Sequence, residues 1–239
     1  MVVPLPGAFT DFLTADGYHP RSSRHSNFLC EEVVKGLLEV SPAIARLAGA
    51  GKLVYDLNFT LRAGTADWNV DLVLGTPPSG LHAPTPIPIS RTQPARVQIA
   101  VENKAVMTEH HKAVKNRKRD FEAHHDHVHR YDDAAIAGGL LLVNSASRFK
   151  SPLRDEMTVH HEPKALVEHC VTQMRAVSRR TGRGTSGLDA SCMLVVDYEN
   201  VPGSIAEYTL KPPAPQVGDP LHFDSFLAAI ARQYEDRFI

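Results

Sequence analysis

The sequence predicts an α/β fold, with residues 1–239 forming one domain around a mixed β-sheet of about five strands flanked by helices on both sides. Three observations predict it. Segments 136–147 (IAGGLLLVNSAS) and 191–198 (SCMLVVDY) are nearly continuous apolar runs, as expected of strands buried on both faces. The segment between them, 164–180, carries apolar residues at helical spacing, so strands alternate with helices in the second half. In the first half, two alternating stretches, 52–64 and 67–75, are joined by the turn pair Gly64-Thr65 and read as a hairpin.

Taken in order, residues 1–25 read as an irregular N-terminal arm of prolines, glycine and mixed polar residues. A helix begins at Ser26, which can cap it, and Phe28, Cys30, Val33, Leu37 and Leu38 form its apolar side. Ser41-Pro42 ends or breaks it. In the strand 67–75, Val70, Leu72 and Leu74 face one way and Asn69, Asp71 and Val73 the other. Residues 76–94 hold prolines at 77, 78, 84, 86, 88 and 94, so they form a long loop rather than a central strand. A third strand spans 95–107. Thr108 can cap the helix that follows to Tyr131, with Val114, Phe121 and Val128 on one face and Lys112, Lys115, Arg119, Glu122 and Asp126 on another. A second Pro-rich connection, 211–220, precedes a closing helix, 223–238.

Composition narrows the function classes. With 43% apolar and 22% charged residues the chain is globular rather than disordered. The net charge of −1 means that any footprint for nucleic acid must be local. Cys30, Cys170 and Cys192 show no paired spacing and read as buried free thiols in a reducing compartment. The start lacks the layout of a leader, and no apolar run approaches the roughly 18 residues of a membrane span. A soluble, cytoplasmic protein with no membrane partner is the expectation.

The third strand carries the chemistry. Alternation puts Gln98, Ala100, Glu102, Lys104 and Val106 on one face and Asn103 on the other. Asp71 interrupts the apolar strand before it. Buried charges are costly unless paired or bound to a cation, and two carboxylates held together repel unless a cation lies between them. A hard ion such as Mg²⁺ binds through one or two carboxylates plus phosphate oxygens, and can lower the pKa of a bound water. With a lysine beside it, this is a set of parts for hydrolysing a phosphodiester.

Asp71, a gap, then Glu102-Asn103-Lys104, in the order helix, three strands, helix, strand, resembles the PD-(D/E)XK nuclease superfamily, whose best-known members are type II restriction endonucleases. Residues 26–146 carry the resemblance. It implies a restriction-endonuclease-like core, Mg²⁺ (with Mn²⁺ able to substitute) held by Asp71 and Glu102, and Lys104 positioning the attacking water. Many members add an acidic residue from the first helix. Here that is Glu31 or Glu32, and helical angles put Glu31 nearer the apolar stripe. Val70 stands where the motif has proline, and Asp56 and Asp67 are rival ligands. The resemblance further implies a sequence-specific endonuclease of double-stranded DNA, belonging to restriction-modification and acting as a homodimer in a prokaryotic cell. A repair, recombination or transposon-end nuclease of the same fold is the alternative.

Lys112, Lys115, Arg117, Lys118 and Arg119 directly follow the third strand, where they could meet a DNA backbone, with His110 and His111 beside a phosphate. The plainer reading is a solvated helix face. His125 and His129 stand at i, i+4, as on a zinc-binding helix, while His124 and His127 lie on another face. Without HExxH or a cysteine pair, a polar helix end is the plainer account. A structural zinc would instead suit a non-catalytic, His-rich metal- or nucleic-acid-binding protein. Base reading could fall to the 76–94 loop with His82 and Arg91, and the GRGTSG loop, 182–187, could also approach DNA.

Overall fold

In the computed structural model, which describes residues 5–63, 66–79, 88–108 and 110–239, the helices are α1 (Leu5–Asp16), α2 (Arg24–Val40), α3 (Pro42–Gly49), α4 (His110–Tyr131), α5 (Pro163–Arg175) and α6 (Phe223–Phe238). The strands are β1 (Val54–Ala63), β2 (Ala66–Thr76), β3 (Ser90–Arg91), β4 (Arg96–Val106), β5 (Ile136–Asn144), β6 (Arg148–Phe149), β7 (Thr158–Val159), β8 (Ala190–Asp197) and β9 (Glu207–Tyr208). Seven of them form one mixed sheet in the order β3-β1-β2-β4-β5-β8-β9, and β6 and β7 pair separately. The pairs β1–β2 and β2–β4 are antiparallel. The pairs β4–β5 and β5–β8 are parallel. Parallel neighbours need crossovers, which α4 and α5 supply.

Helices cover both faces. Leu29 and Leu37 of α2 and Phe226 and Ile230 of α6 pack on one face against Leu72, Val101 and Leu140. On the other, Val114, Phe121 and Val128 of α4 and Leu166 and Cys170 of α5 pack against Val73, Ala100 and Leu141. The class is therefore α/β, with a sheet wider than the expected five strands. The two additions, β3 and β9, are two-residue edge strands. All three cysteines are free and buried. Among the described residues, no helix is long and apolar enough to cross a membrane.

Several expectations need correction. The arm 1–25 is not irregular throughout, because α1 occupies Leu5–Asp16 and buries Phe9 and Leu13. Phe12 of α1 stacks on Phe28 of α2 with ring centroids 4.7 Å apart, a contact that local sequence does not announce. The next helix starts at Arg24, so Ser26 lies inside it, buried, and is not its cap. Ser41 does end α2, and it also starts the unexpected α3. Its hydroxyl accepts from the Ile44 N–H at 3.2 Å, with Pro42 in the first helical turn. The loop 76–94 contains β3, which pairs in parallel with β1, while His82 lies outside the described residues. The helix expected over 164–180 ends at Arg175. The helix after β4 begins at His110, two residues beyond Thr108.

A bulge in the β2–β4 ladder shapes the middle of the sheet. Leu74 pairs with Ile99 but Gly75 pairs with Val97, leaving Gln98 as the extra residue. There Tyr234 of α6 donates to the Gln98 Oε1 at 3.1 Å. A methyl group on Gly75 would fall 1.9 Å from the Arg96 carbonyl oxygen, so the two backbones could not keep their approach. Gly75→Ala should therefore lower stability by more than about 3 kcal/mol, read as a fall in the urea midpoint with an unchanged slope.

Candidate active site

Strands β2 and β4 pair from Thr76↔Arg96 as far as Leu72↔Val101, and there the ladder stops. In place of the next rung, the Asp71 carboxylate accepts the Asn103 backbone N–H at 2.8 Å. On its other side the β1–β2 ladder misses one rung, at Asp71, and resumes in the same register. Leu57 pairs with Leu72 and Phe59 with Val70, while Asn58 between them takes the left-handed conformation, φ 55°. Asparagine tolerates that region better than most residues. The local twist explains a further correction: Val70 packs with Val73 on the α4 face rather than with Leu72 and Leu74. Asp71 thus stands where β2 leaves β4 and misses one rung with β1.

Glu102 and Lys104 lie on the α4 side of β4. Lys104 Nζ pairs with Glu102 Oε1, and Glu102 is 2% exposed. His124 of α4 is fully buried against them. Its Nε2 lies 3.3 Å from the Ala100 carbonyl and its Nδ1 3.8 Å from Glu102 Oε2. From α2, the buried Ser26 and Cys30 stand beside Asp71, so both faces of the sheet contribute.

Electrostatics disfavour a bare negative charge here. Burial, then the Asp71 charge, push Glu102 up to about 7 against the pull of Lys104. Burial also raises Asp71, while Lys104, the Asn103 N–H and Ser26 draw it back. Burial takes His124 down to about 3, so its ring is neutral. Burial and Asp71 hold the Cys30 thiol protonated. Among the described residues, Glu102 Oε2, Asn103 Nδ2 and His124 Nδ1 have no hydrogen-bond partner. Perturbed carboxylates with unpartnered buried atoms around them make this cluster the candidate site.

The remaining sequence candidates scatter. Glu31 is half-buried on α2 and its charge reaches Cys30, while its neighbour Glu32 is the more buried and pairs with Lys35 at 2.5 Å. This ordering of burial is the reverse of the one that helical angles predicted. Asp67 is exposed, and Asp56 accepts from the Leu57 N–H and faces Arg91 at 3.5 Å. Arg117 pairs with Asp120 and Lys118 with Glu122, each at 2.8 Å along α4, whereas Lys115 and Arg119 are exposed. His110, His111 and Lys112 open α4, and their side chains lie outside the described ones.

The other histidines are tied into packing. His127 stacks on Trp68 with ring centroids 4.8 Å apart. His125 Nδ1 meets Ser186 at 3.1 Å, and His129 Nε2 meets Asp189 at 3.3 Å. With Arg180 on Asp133 and the Gly184 N–H on the same carboxylate, these contacts pin the 182–187 loop to the end of α4. Among the described residues, no three His, Cys, Asp or Glu side chains stand together as a ready metal cage. Mg²⁺ does not require one, since it keeps several waters and takes one or two carboxylates.

Sequence reading missed His124, Asn58, Ser26 and Cys30 as members of this site. His124 had a usable signal: it stands three residues after Phe121 and four before Val128, on the buried stripe of α4. Comparison of the chain with protein-family models, curated proteins and solved structures gives no match.

Proposed function

We propose that this protein is a Mg²⁺-dependent endonuclease with a restriction-endonuclease-like core, hydrolysing phosphodiester bonds of double-stranded DNA as a sequence-specific homodimer. The observation that carries the reading is the parting of β2 and β4 where two destabilised carboxylates and a lysine converge. A helix on one face, three antiparallel strands, a crossover helix and a parallel strand are the order that such a core requires.

The residues present fit the ion. Among the described residues Glu102 keeps one oxygen unpartnered, and burial disfavours charge on both carboxylates. Asp71 and Glu102 would hold Mg²⁺, which supplies Lewis acidity and an acidified water. Asn103 N–H fixes Asp71, and Lys104 fixes Glu102 while keeping an ammonium at the partly exposed edge of the site. There it can orient a nucleophilic water and stabilise charge on the phosphate. Beyond it, at the C-terminal end of β4, a cleft of about 410 Å³ is lined by Asn116 and Arg117 of α4 and by Arg154. These residues, with exposed Lys115 and Arg119, suit contact with a phosphate backbone.

The test is Lys104→Met on supercoiled plasmid with Mg²⁺. Cleavage should fall by about 10²–10⁴-fold, while divalent-ion binding, followed by calorimetry, persists. A variant that cuts as fast as the parent removes Lys104 from the chemistry.

A further inference from the structure

We infer that His124 supplies a nitrogen ligand to the cation that Glu102 holds, making the site selective for ions that accept imidazole, Mn²⁺ among them, over Mg²⁺. The inference rests on the proposed role of Glu102 as a metal ligand and adds a donor to it.

The argument is a count of hydrogens. The Ala100 carbonyl can only accept, so the ring nitrogen facing it, Nε2, must carry the proton of a neutral imidazole. Nδ1 then presents a lone pair. What it faces, 3.8 Å away, is Glu102 Oε2, which when ionised is also an acceptor. Among the described residues neither atom has another partner, and both residues are buried. Lys104 donates to Oε1 and makes no bond to Oε2. Two opposed acceptors in a dry setting are repulsive, and leaving them so costs a desolvation penalty at each. A proton on the carboxyl or a cation between the two atoms removes both penalties.

The dimensions allow it. Metal–nitrogen and metal–carboxylate bonds of about 2.0–2.2 Å let two donors on one ion stand up to roughly 4 Å apart. The far side of the ring completes the pattern. Metal-bound imidazoles usually donate their other N–H to a carboxylate or a backbone carbonyl, which fixes the tautomer and the ring plane. Ala100 plays that part from the same strand that carries Glu102. Mg²⁺ prefers an all-oxygen shell, whereas transition ions take imidazole readily and Mn²⁺ accepts both donor types. Ion choice in this site would then be written on α4, twenty residues beyond Lys104.

Pulsed EPR of the Mn²⁺-loaded protein tests this without reference to turnover. The wild type should show the hyperfine coupling of a directly bound ¹⁴N, converted to the ¹⁵N pattern when the protein is grown with ¹⁵N-histidine. That conversion needs no variant. His124→Asn should lose the coupling and bind Mn²⁺ about 10–100-fold more weakly, with a smaller loss for Mg²⁺. Mn²⁺ bound with no nitrogen coupling, or a coupling that survives His124→Asn, overturns the inference. Glu102→Gln separates the two levels. If it abolishes Mn²⁺ uptake while the wild type shows no nitrogen coupling, Glu102 stands as a ligand and His124 falls. If it binds Mn²⁺ as the wild type does, or if the wild type takes up none, the reading of Glu102 falls and His124 with it.

Discussion

Glu102→Gln is expected to abolish Mg²⁺-dependent cleavage and, in metal-free buffer, to make the protein more stable. Under the proposed reading the carboxylate is an ion ligand, and its amide isostere cannot replace the charge. A loss of a thousandfold or more corresponds to roughly 4 kcal/mol on the barrier. The stability gain follows from the direction of the Glu102 shift. Its ordinary value is 4.5 and burial, with the Asp71 charge, raises it to about 7 in the folded protein. Between those pH values the unfolded chain has released the proton and the folded chain retains it, so wild-type stability falls as pH rises through the window. Above pH 7 the whole cost is present, about 3 kcal/mol at most. Glutamine carries no such cost. Urea unfolding in EDTA should show the variant ahead of the wild type at pH 8 and level with it at pH 4. Added Mn²⁺ should then raise the wild type alone. A variant less stable than the wild type at pH 8 would mean that the carboxylate is a structural partner of Lys104 and nothing more.

Asp189→Ala should be among the most damaging changes outside the site. Asp189 accepts from the Ala137 N–H at 2.8 Å and from His129 Nε2 at 3.3 Å, and it pairs with Arg237 of α6. It joins the strand β5, the end of α4 and the C-terminal helix through one carboxylate that is 1% exposed. Burial alone would raise its pKa, but the hydrogen bonds from His129, Arg237 and the Ala137 N–H outweigh burial and leave it below the usual 3.8. Its stabilising contribution is therefore present above pH 3.8 and is lost as pH falls through the folded value. Alanine leaves Arg237 without its carboxylate and the Ala137 N–H unpaired, for a loss of about 3–5 kcal/mol at pH 7. Asp189→Asn, which keeps an acceptor for Ala137, should lose less. Thermal melts of the two variants check the order.

These two residues also show what a sequence can and cannot reveal. Strands β5 and β8 were legible because burial on both faces leaves an apolar run with no alternation. The α4 stripe was legible because Val114, Phe121 and Val128 repeat every seven residues. Asp71 and Glu102 were legible as interruptions, since a carboxylate in an apolar strand demands a partner. The rest depended on contacts between distant segments. Helix α1 is held by Phe12 on Phe28, and α3 starts at a Ser41-Pro42 pair that reads equally well as an ending. The face of Val70 could not be read, because the alternation resets at the break beside Asn58. The histidines 124–129 looked like a metal box only in one dimension. On the helix they divide among Glu102, Ser186, Trp68 and Asp189.

The central claim is that the parting of β2 and β4 forms a hydrolytic metal site. Incubation of the purified wild-type protein with supercoiled plasmid, in Mg²⁺ or in EDTA, tests it most directly. Linear or nicked DNA in Mg²⁺, with intact plasmid in EDTA, is the predicted result. Plasmid left intact in Mg²⁺ and in Mn²⁺, by protein whose calorimetry shows no divalent ion bound, would contradict it.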